Sequence, residues 1–274
     1  MYEFISNLLS DKDTGTFKFE AFSPCHFIYL FLIIGAVALV VYLFRNKDQE
    51  TKNKLINITV ISALGLYVAD FFLMPFSEGE INIDKLPFHV CTLMSIMCVL
   101  ARNTKLFTKF KTAFTLMGMV GAIAYIVYPA GVAVADGYSY RIVQTVIYHG
   151  LMIAQGVFAI AFNDLDLSWK SFKYDIIAVF CLVLWAILGN TLYSGTVKEA
   201  CGCVEGCTEM ITVYDHDFNW FFVKHDALYI IDDSIDVYFA PVLMLVAFSG
   251  IIALVRFVGI TLLNVFTKKE EVTE

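Results

Sequence analysis

Seven runs of predominantly apolar residues, at about 27–44, 55–76, 86–101, 112–135, 140–162, 174–194 and 236–264, govern what this chain can fold into. A helix needs roughly 17–25 such residues to cross the hydrocarbon core of a bilayer. The third run is the shortest and reaches that length only by continuing past Arg102. The pattern predicts an all-α fold: a polytopic membrane protein, one bundle of seven transmembrane helices forming a single domain over 1–274. Within it, 195–235 is a long extracytoplasmic loop. Only 16% of the 274 residues are charged and 59% are apolar, whereas a soluble domain carries about 25% charged residues. No basic patch interleaves with aromatics, so nucleic acid is not an expected partner. The first 20 residues hold Asp11, Lys12, Asp13, Lys18 and Glu20 and do not read as a secretory signal.

Lys and Arg set the expected orientation. Arg45, Lys47, Lys52 and Lys54 join the first two runs. Arg102, Lys105, Lys109 and Lys111 join the third and fourth, Lys170 and Lys173 the fifth and sixth, and Lys268 and Lys269 follow the last. The alternate connections are poorer in cations. The amino terminus is therefore expected outside and the carboxyl terminus inside, in the cell membrane.

On that orientation the ionisable residues within the runs gather in the outer half. An uncompensated charge near the bilayer centre costs about 2.5 kcal/mol or more, so such residues face protein or a cavity and mark candidate sites. His26 begins the first run, and Asp70 lies near the outer end of the second. His89 and Cys91 stand in Leu86-Pro87-Phe88-His89-Val90-Cys91 at the head of the third. Arg141, Gln144 and His149 lie on the fifth, where Arg141, Gln144, Thr145, Tyr148 and His149 share an arc of about 140°. Positions two apart point to nearly opposite sides of a helix, so His89 is a poor base for Cys91.

A thiol becomes a strong nucleophile only as the thiolate, and burial opposes ionisation. A histidine that takes the proton relieves this. The pairing expected is Cys91 as nucleophile and His149 as base. It would pass an acyl group through a thioester to an alcohol, a lysolipid or water. Arg141 would hold a lipid phosphate, and Gln144 or Thr92 would donate to the oxyanion. His26, His89 and Asp70 are further substrate-binding candidates, and no cofactor is required. Asp70 has a second reading, as a neutral contact with Arg141, and Cys98 and Cys181 read as packing residues. The membrane phospholipid or lysolipid is then substrate and the bilayer the partner.

In the long loop, Cys201, Cys203 and Cys207 precede His216 and His225. A disulfide framework, with Cys25 as the fourth cysteine, is favoured there over zinc. Asn219-Trp220-Phe221-Phe222 reads as a membrane-interface segment.

The segments Phe22-Ser23-Pro24-Cys25-His26-Phe27, Leu86 to Cys91, Tyr148-His149-Gly150 and Asn219-Trp220-Phe221-Phe222-Val223 together resemble the YwaF-like integral membrane protein family, which includes the animal transmembrane protein 164. The resemblance implies a phospholipid acyltransferase with a catalytic cysteine and histidine in the membrane, which fall by position on Cys91 and His149. It also implies an architecture like that of membrane lipid-ester hydrolases with a threonine and a histidine. The stretch 195–217 reads as an insertion relative to that family, and 232–241 departs from its tryptophan- and proline-rich pattern. Two other functions compete. One is a zinc-dependent lipid hydrolase using His26, His89, His149 and Asp70. The other is a transporter or ligand-binding protein; the lack of internal repeats argues against a carrier.

Overall fold

A computed structural model describes residues 17–73, 83–129, 135–193, 195–200, 210–216, 219–224 and 233–273. Seven α-helices carry the chain: α1 (Pro24–Phe44), α2 (Gln49–Leu73), α3 (Val90–Asn103), α4 (Lys111–Val127), α5 (Tyr140–Ala161), α6 (Phe172–Tyr193) and α7 (Asp233–Thr273). Each answers to one apolar run of the sequence. Short strands β1 (Lys18–Phe19) and β2 (Ala135–Asp136) pair antiparallel, as do β3 (Gly195–Ala200) and β4 (Met210–His216).

Six of the helical segments are long and apolar enough to cross a membrane, and α3 is not. Its 14 residues reach about 21 Å at 1.5 Å per residue, against a hydrocarbon core about 30 Å thick. Helix α4 also ends earlier than its apolar run, at Val127. Pro129 lies two residues on, and a proline disfavours helical backbone in the residue before it. Side chains such as Phe31, Leu32 and Tyr42 on α1, and Val246, Leu254 and Phe257 on α7, are exposed. Soluble monomers rarely expose apolar patches above a few hundred Å², so these faces belong in hydrocarbon and the chain is a multi-pass membrane protein.

The chain divides into two compact units: residues 1–178 with 250–274, and residues 179–249. In the first, α4 packs on α3 and α5, α2 packs on α3 and α5, and α1 leans on α5. Glycines let these helices approach closely, as small residues do in membranes. A Cβ at Gly118 would stand 3.2 Å from Met94 Cβ on α3, and one at Gly121 would stand 2.9 Å from Val90 Cγ1. On α5, a Cβ at Gly156 would meet Met119 Sδ at 2.5 Å. The β1–β2 ribbon brings the segment before α1 to the head of α5, where Phe19, Cys25, Ile142 and Val146 form a buried cluster.

In the second unit, Asn190 of α6 clasps Trp220: Trp220 N donates to Asn190 Oδ1 at 2.9 Å, and Asn190 Nδ2 donates to Trp220 O at 3.2 Å. Trp220 and Phe221 are buried and Phe222 is exposed. Trp220 packs inside protein, edge-on to Tyr193, and Phe222 is the aromatic of this segment that remains available to the membrane interface. The long loop contains the β3–β4 hairpin, which the sequence reading omitted. Cys201, Cys203, Cys207 and His225 lie outside the described residues. Cys25, their suggested partner, is a buried free thiol against Gly137.

Candidate functional site

The sequence candidates collect at one end of the first unit, where α1, α3 and α5 begin and α2 and α4 finish. Helix α3 starts at Val90 with His89 in the extended N-cap position. Its next turns repeat Cys91, Met94, Ser95 and Cys98 on one face, of which the last three are fully buried and Cys91 is half-buried. Cys91 is a free thiol turned towards α4, its Sγ 3.4 Å from where a Cβ on Gly121 would sit. Tyr148 of α5 lies within electrostatic reach of both Cys91 and Cys98.

His149 projects from the next position of α5 and is buried. Its ring stacks flat on Tyr125 of α4, with centroids 4.0 Å apart and planes 8° from parallel. Tyr148 meets it edge-on at 4.9 Å. Its Nδ1 donates to the Thr145 carbonyl at 2.8 Å. A carbonyl accepts and cannot donate, so the proton resides on Nδ1 and the lone pair on Nε2. Nε2 makes no hydrogen bond among the described residues. The imidazole is thus fixed in ring plane and in tautomer, as a general base requires. Lys85 and His89 stand within electrostatic reach of it.

The polar arc on α5 faces protein as expected: Thr145, Tyr148 and His149 are buried and Arg141 and Gln144 half-buried, while Ile147 between them is exposed. Thr145 Oγ1 donates to Gln144 Oε1 at 3.3 Å, and the Gln144 amide nitrogen makes no hydrogen bond among the described residues. Thr92 Oγ1 instead donates to the His89 carbonyl at 3.0 Å. Of the two oxyanion candidates, Gln144 therefore has the available donor.

Two candidates have structural partners that the sequence did not reveal. Asp70 is buried and pairs with Lys85 Nζ at 2.8 Å, so the contact expected with Arg141 is replaced by one with Lys85. Tyr67 fixes the same residue by donating to the Lys85 carbonyl at 2.9 Å. His26 is buried with both nitrogens engaged: Nε2 donates to Ile126 O at 2.7 Å and Nδ1 accepts from Phe22 N at 2.9 Å. It is a strut between the head of α1 and the tail of α4, with no nitrogen left for a ligand. Among the described residues, no group of three or more His, Cys, Asp or Glu side chains is placed to share a metal ion. The proposed set of His26, His89, His149 and Asp70 therefore does not assemble as a zinc site.

Lys85 is the residue of this site that sequence reasoning missed. It lies in a connection, and its only signal was a lone cation on the cation-poor side of the chain. Searches of curated proteins and of solved structures return no match. A family model does match, over residues 21–261, a span that holds every residue of the site. The chain belongs to the TMEM164 family.

Proposed function

We propose that this protein is a membrane-embedded lipid acyltransferase or acyl hydrolase, with Cys91 as nucleophile and His149 as its base. The observation that carries the reading is the imidazole held between Tyr125 and the Thr145 carbonyl, with no hydrogen bond to Nε2 among the described residues, at the end of the bundle where α3 begins with Cys91. The structural histidine of the same bundle, His26, has both nitrogens engaged.

In the reaction, His149 Nε2 takes the Cys91 proton as the thiolate attacks the carbonyl carbon of an acyl ester. The tetrahedral oxyanion collapses and expels the alkoxide, which takes that proton from His149. A thioester is left on Cys91. An acceptor alcohol, lysolipid or water then loses its proton to His149 and attacks the thioester, releasing the acyl product and restoring the thiol. No hydrogen bond joins Cys91 and His149 among the described residues, and catalytic hydrogen bonds commonly tighten only on substrate binding. Gln144 donates to the oxyanion, and Arg141 with Lys85 faces the lipid phosphate. The site opens towards the outer leaflet of the cell membrane, following the distribution of Lys and Arg.

The test is covalent labelling of the full chain in lipid nanodiscs with 2-bromohexadecanoate, in which the Cys91 thiolate displaces bromide. Cys91 is expected to carry the adduct, and His149→Ala to slow its formation about 100-fold or more, the usual scale for a general base. Labelling that is equally fast in His149→Ala, or that spares Cys91 in the wild type, overturns the reading.

A further inference from the structure

Beside the site lies a cleft of about 120 Å³, lined by Tyr67, Val68, Phe71 and Phe72 of α2 and by Leu86 and Pro87. One water needs about 10–15 Å³ of such space together with two to four polar partners. The cleft has the room without the partners. Val68, Phe71, Phe72, Leu86 and Pro87 offer carbon, and Tyr67 turns its hydroxyl onto the Lys85 carbonyl. An open cavity of this kind in a bilayer fills with hydrocarbon.

Its position separates it from ordinary lipid-facing surface. The Leu86–Pro87 wall follows Lys85 directly in the chain and leads within two residues to His89, the N-cap of α3, with Cys91 in the helix's first turn. Lys85 is itself anchored by the buried Asp70 at 2.8 Å. The other wall runs out to Phe72, which is 66% exposed on the lipid-facing side of α2. The cleft therefore leads from the hydrocarbon to a cation held in place by Asp70 and to the head of α3 that carries Cys91. That sequence of chemistries matches a lipid: a chain that is apolar along its length and an ester or phosphate at its end.

We propose that this cleft seats one hydrocarbon chain of the lipid that reacts at Cys91, and so sets which acyl chains reach the thiol. The proposal rests on the acyl-transfer reading for the identity of the site, and two probes separate the two claims.

The first is a phosphatidylcholine carrying a diazirine midway along a 16-carbon chain, crosslinked to the full protein in nanodiscs and mapped by mass spectrometry. Crosslinks are expected to concentrate on 67–72 and 86–87 at least tenfold over Ile28, Phe31, Leu32 and Ile34 of α1, which are exposed and line no cleft. Val68→Trp and Leu86→Trp, which fill the space from opposite walls, should each bring that ratio within twofold. The second probe compares labelling of Cys91 by 2-bromohexadecanoate and 2-bromobutyrate. The wild type should prefer the long chain at least tenfold. Both filled variants should lose the preference while iodoacetamide still labels Cys91 at the wild-type rate, which controls for folding.

Uniform crosslinking in the wild type, or a chain preference unchanged in both variants, overturns the proposal. If Cys91 resists every reagent while crosslinks still concentrate in the cleft, the cysteine mechanism fails and the chain seat stands. If Cys91 reacts in a His149-dependent way but filling the cleft changes nothing, only the chain seat fails.

Discussion

His26 and His149 show how one side chain takes opposite roles according to its second nitrogen. Both are buried, and both touch backbone in the same half of the bundle. His26 Nε2 meets Ile126 O, one of the last carbonyls of α4, which has no partner within its own helix. The histidine therefore serves as a C-terminal cap from another helix. His26→Leu strands that carbonyl in an apolar setting, at about 1–3 kcal/mol. Thermal unfolding in detergent should show the loss, while the surviving folded fraction still labels at Cys91 at the wild-type rate. A variant as stable as the wild type would show that the strut carries nothing. The sequence marked both histidines as ionisable groups in apolar runs, because the cost of burial is readable from composition. It could not tell them apart. Their difference lies in partners 100 residues away for His26 and one helical turn away for His149, and only the latter is encoded locally. Asp70 shows the same limit: its burial was legible, but its partner is Lys85, 15 residues on, and not Arg141 on α5.

At the scale of elements, helix existence followed from the apolar runs, whereas the close approaches at Gly118, Gly121 and Gly156 had no reading in the sequence, because a glycine's neighbour lies on another helix. The boundaries were less legible. Helix α4 stops short of Pro129 for a local reason the sequence states, whereas the pairing of β1 with β2 spans more than 100 residues and leaves no pattern in two-residue strands. The short α3 carries Cys91 because its face is pressed against α4 at Gly118 and Gly121. The parallel contact of α4 with α5 is at Gly156. There an added methyl would lie 2.6 Å from Met119 Cβ, an atom fixed to the α4 backbone. Overpacking of this kind typically costs about 1–3 kcal/mol. Gly156→Ala is thus expected to lower the unfolding midpoint and to slow Cys91 labelling, since Tyr125 and His149 are stacked across the same two helices. Gly35→Ala is the matched control. Nothing stands within 4 Å of its Cβ, so it should leave both measurements unchanged.

Across the whole molecule the charges divide by role. At the end opposite the candidate site, Arg102 and Lys111 both bind Asp164, the latter at 3.0 Å, and join α3 and α4 to the turn after α5. In that same turn, hydrogen bonds from Ser168 hold the Asp166 carboxyl below the usual carboxylate range, with the Arg256 charge a smaller contribution. The deepest group there is Arg256 of α7, fully buried. It donates to the Asp175 carboxylate, the Asp166 and Ser168 carbonyls and Ser171 Oγ. From sequence Arg256 was one cation within an apolar run, and nothing nearby named a carboxylate 81 residues earlier. Removing one partner of a buried pair strands the other charge and costs about 3–5 kcal/mol, whereas replacing both with apolar groups of similar volume is often neutral. Asp175→Ala should therefore destabilise the protein by that amount in chemical denaturation. Arg256→Met combined with Asp175→Leu should recover much of it, less the three neutral acceptors that Arg256 also serves. Those acceptors set the sign of the remainder. Asp166 and Ser168 are exposed, so water can replace the guanidinium at their carbonyls, and the buried Ser171 hydroxyl keeps its own bonds to those carbonyls, so the double variant should fold and keep wild-type Cys91 labelling. A double variant as unstable as Asp175→Ala would mean that the turn itself, and not the ion pair, depends on Arg256.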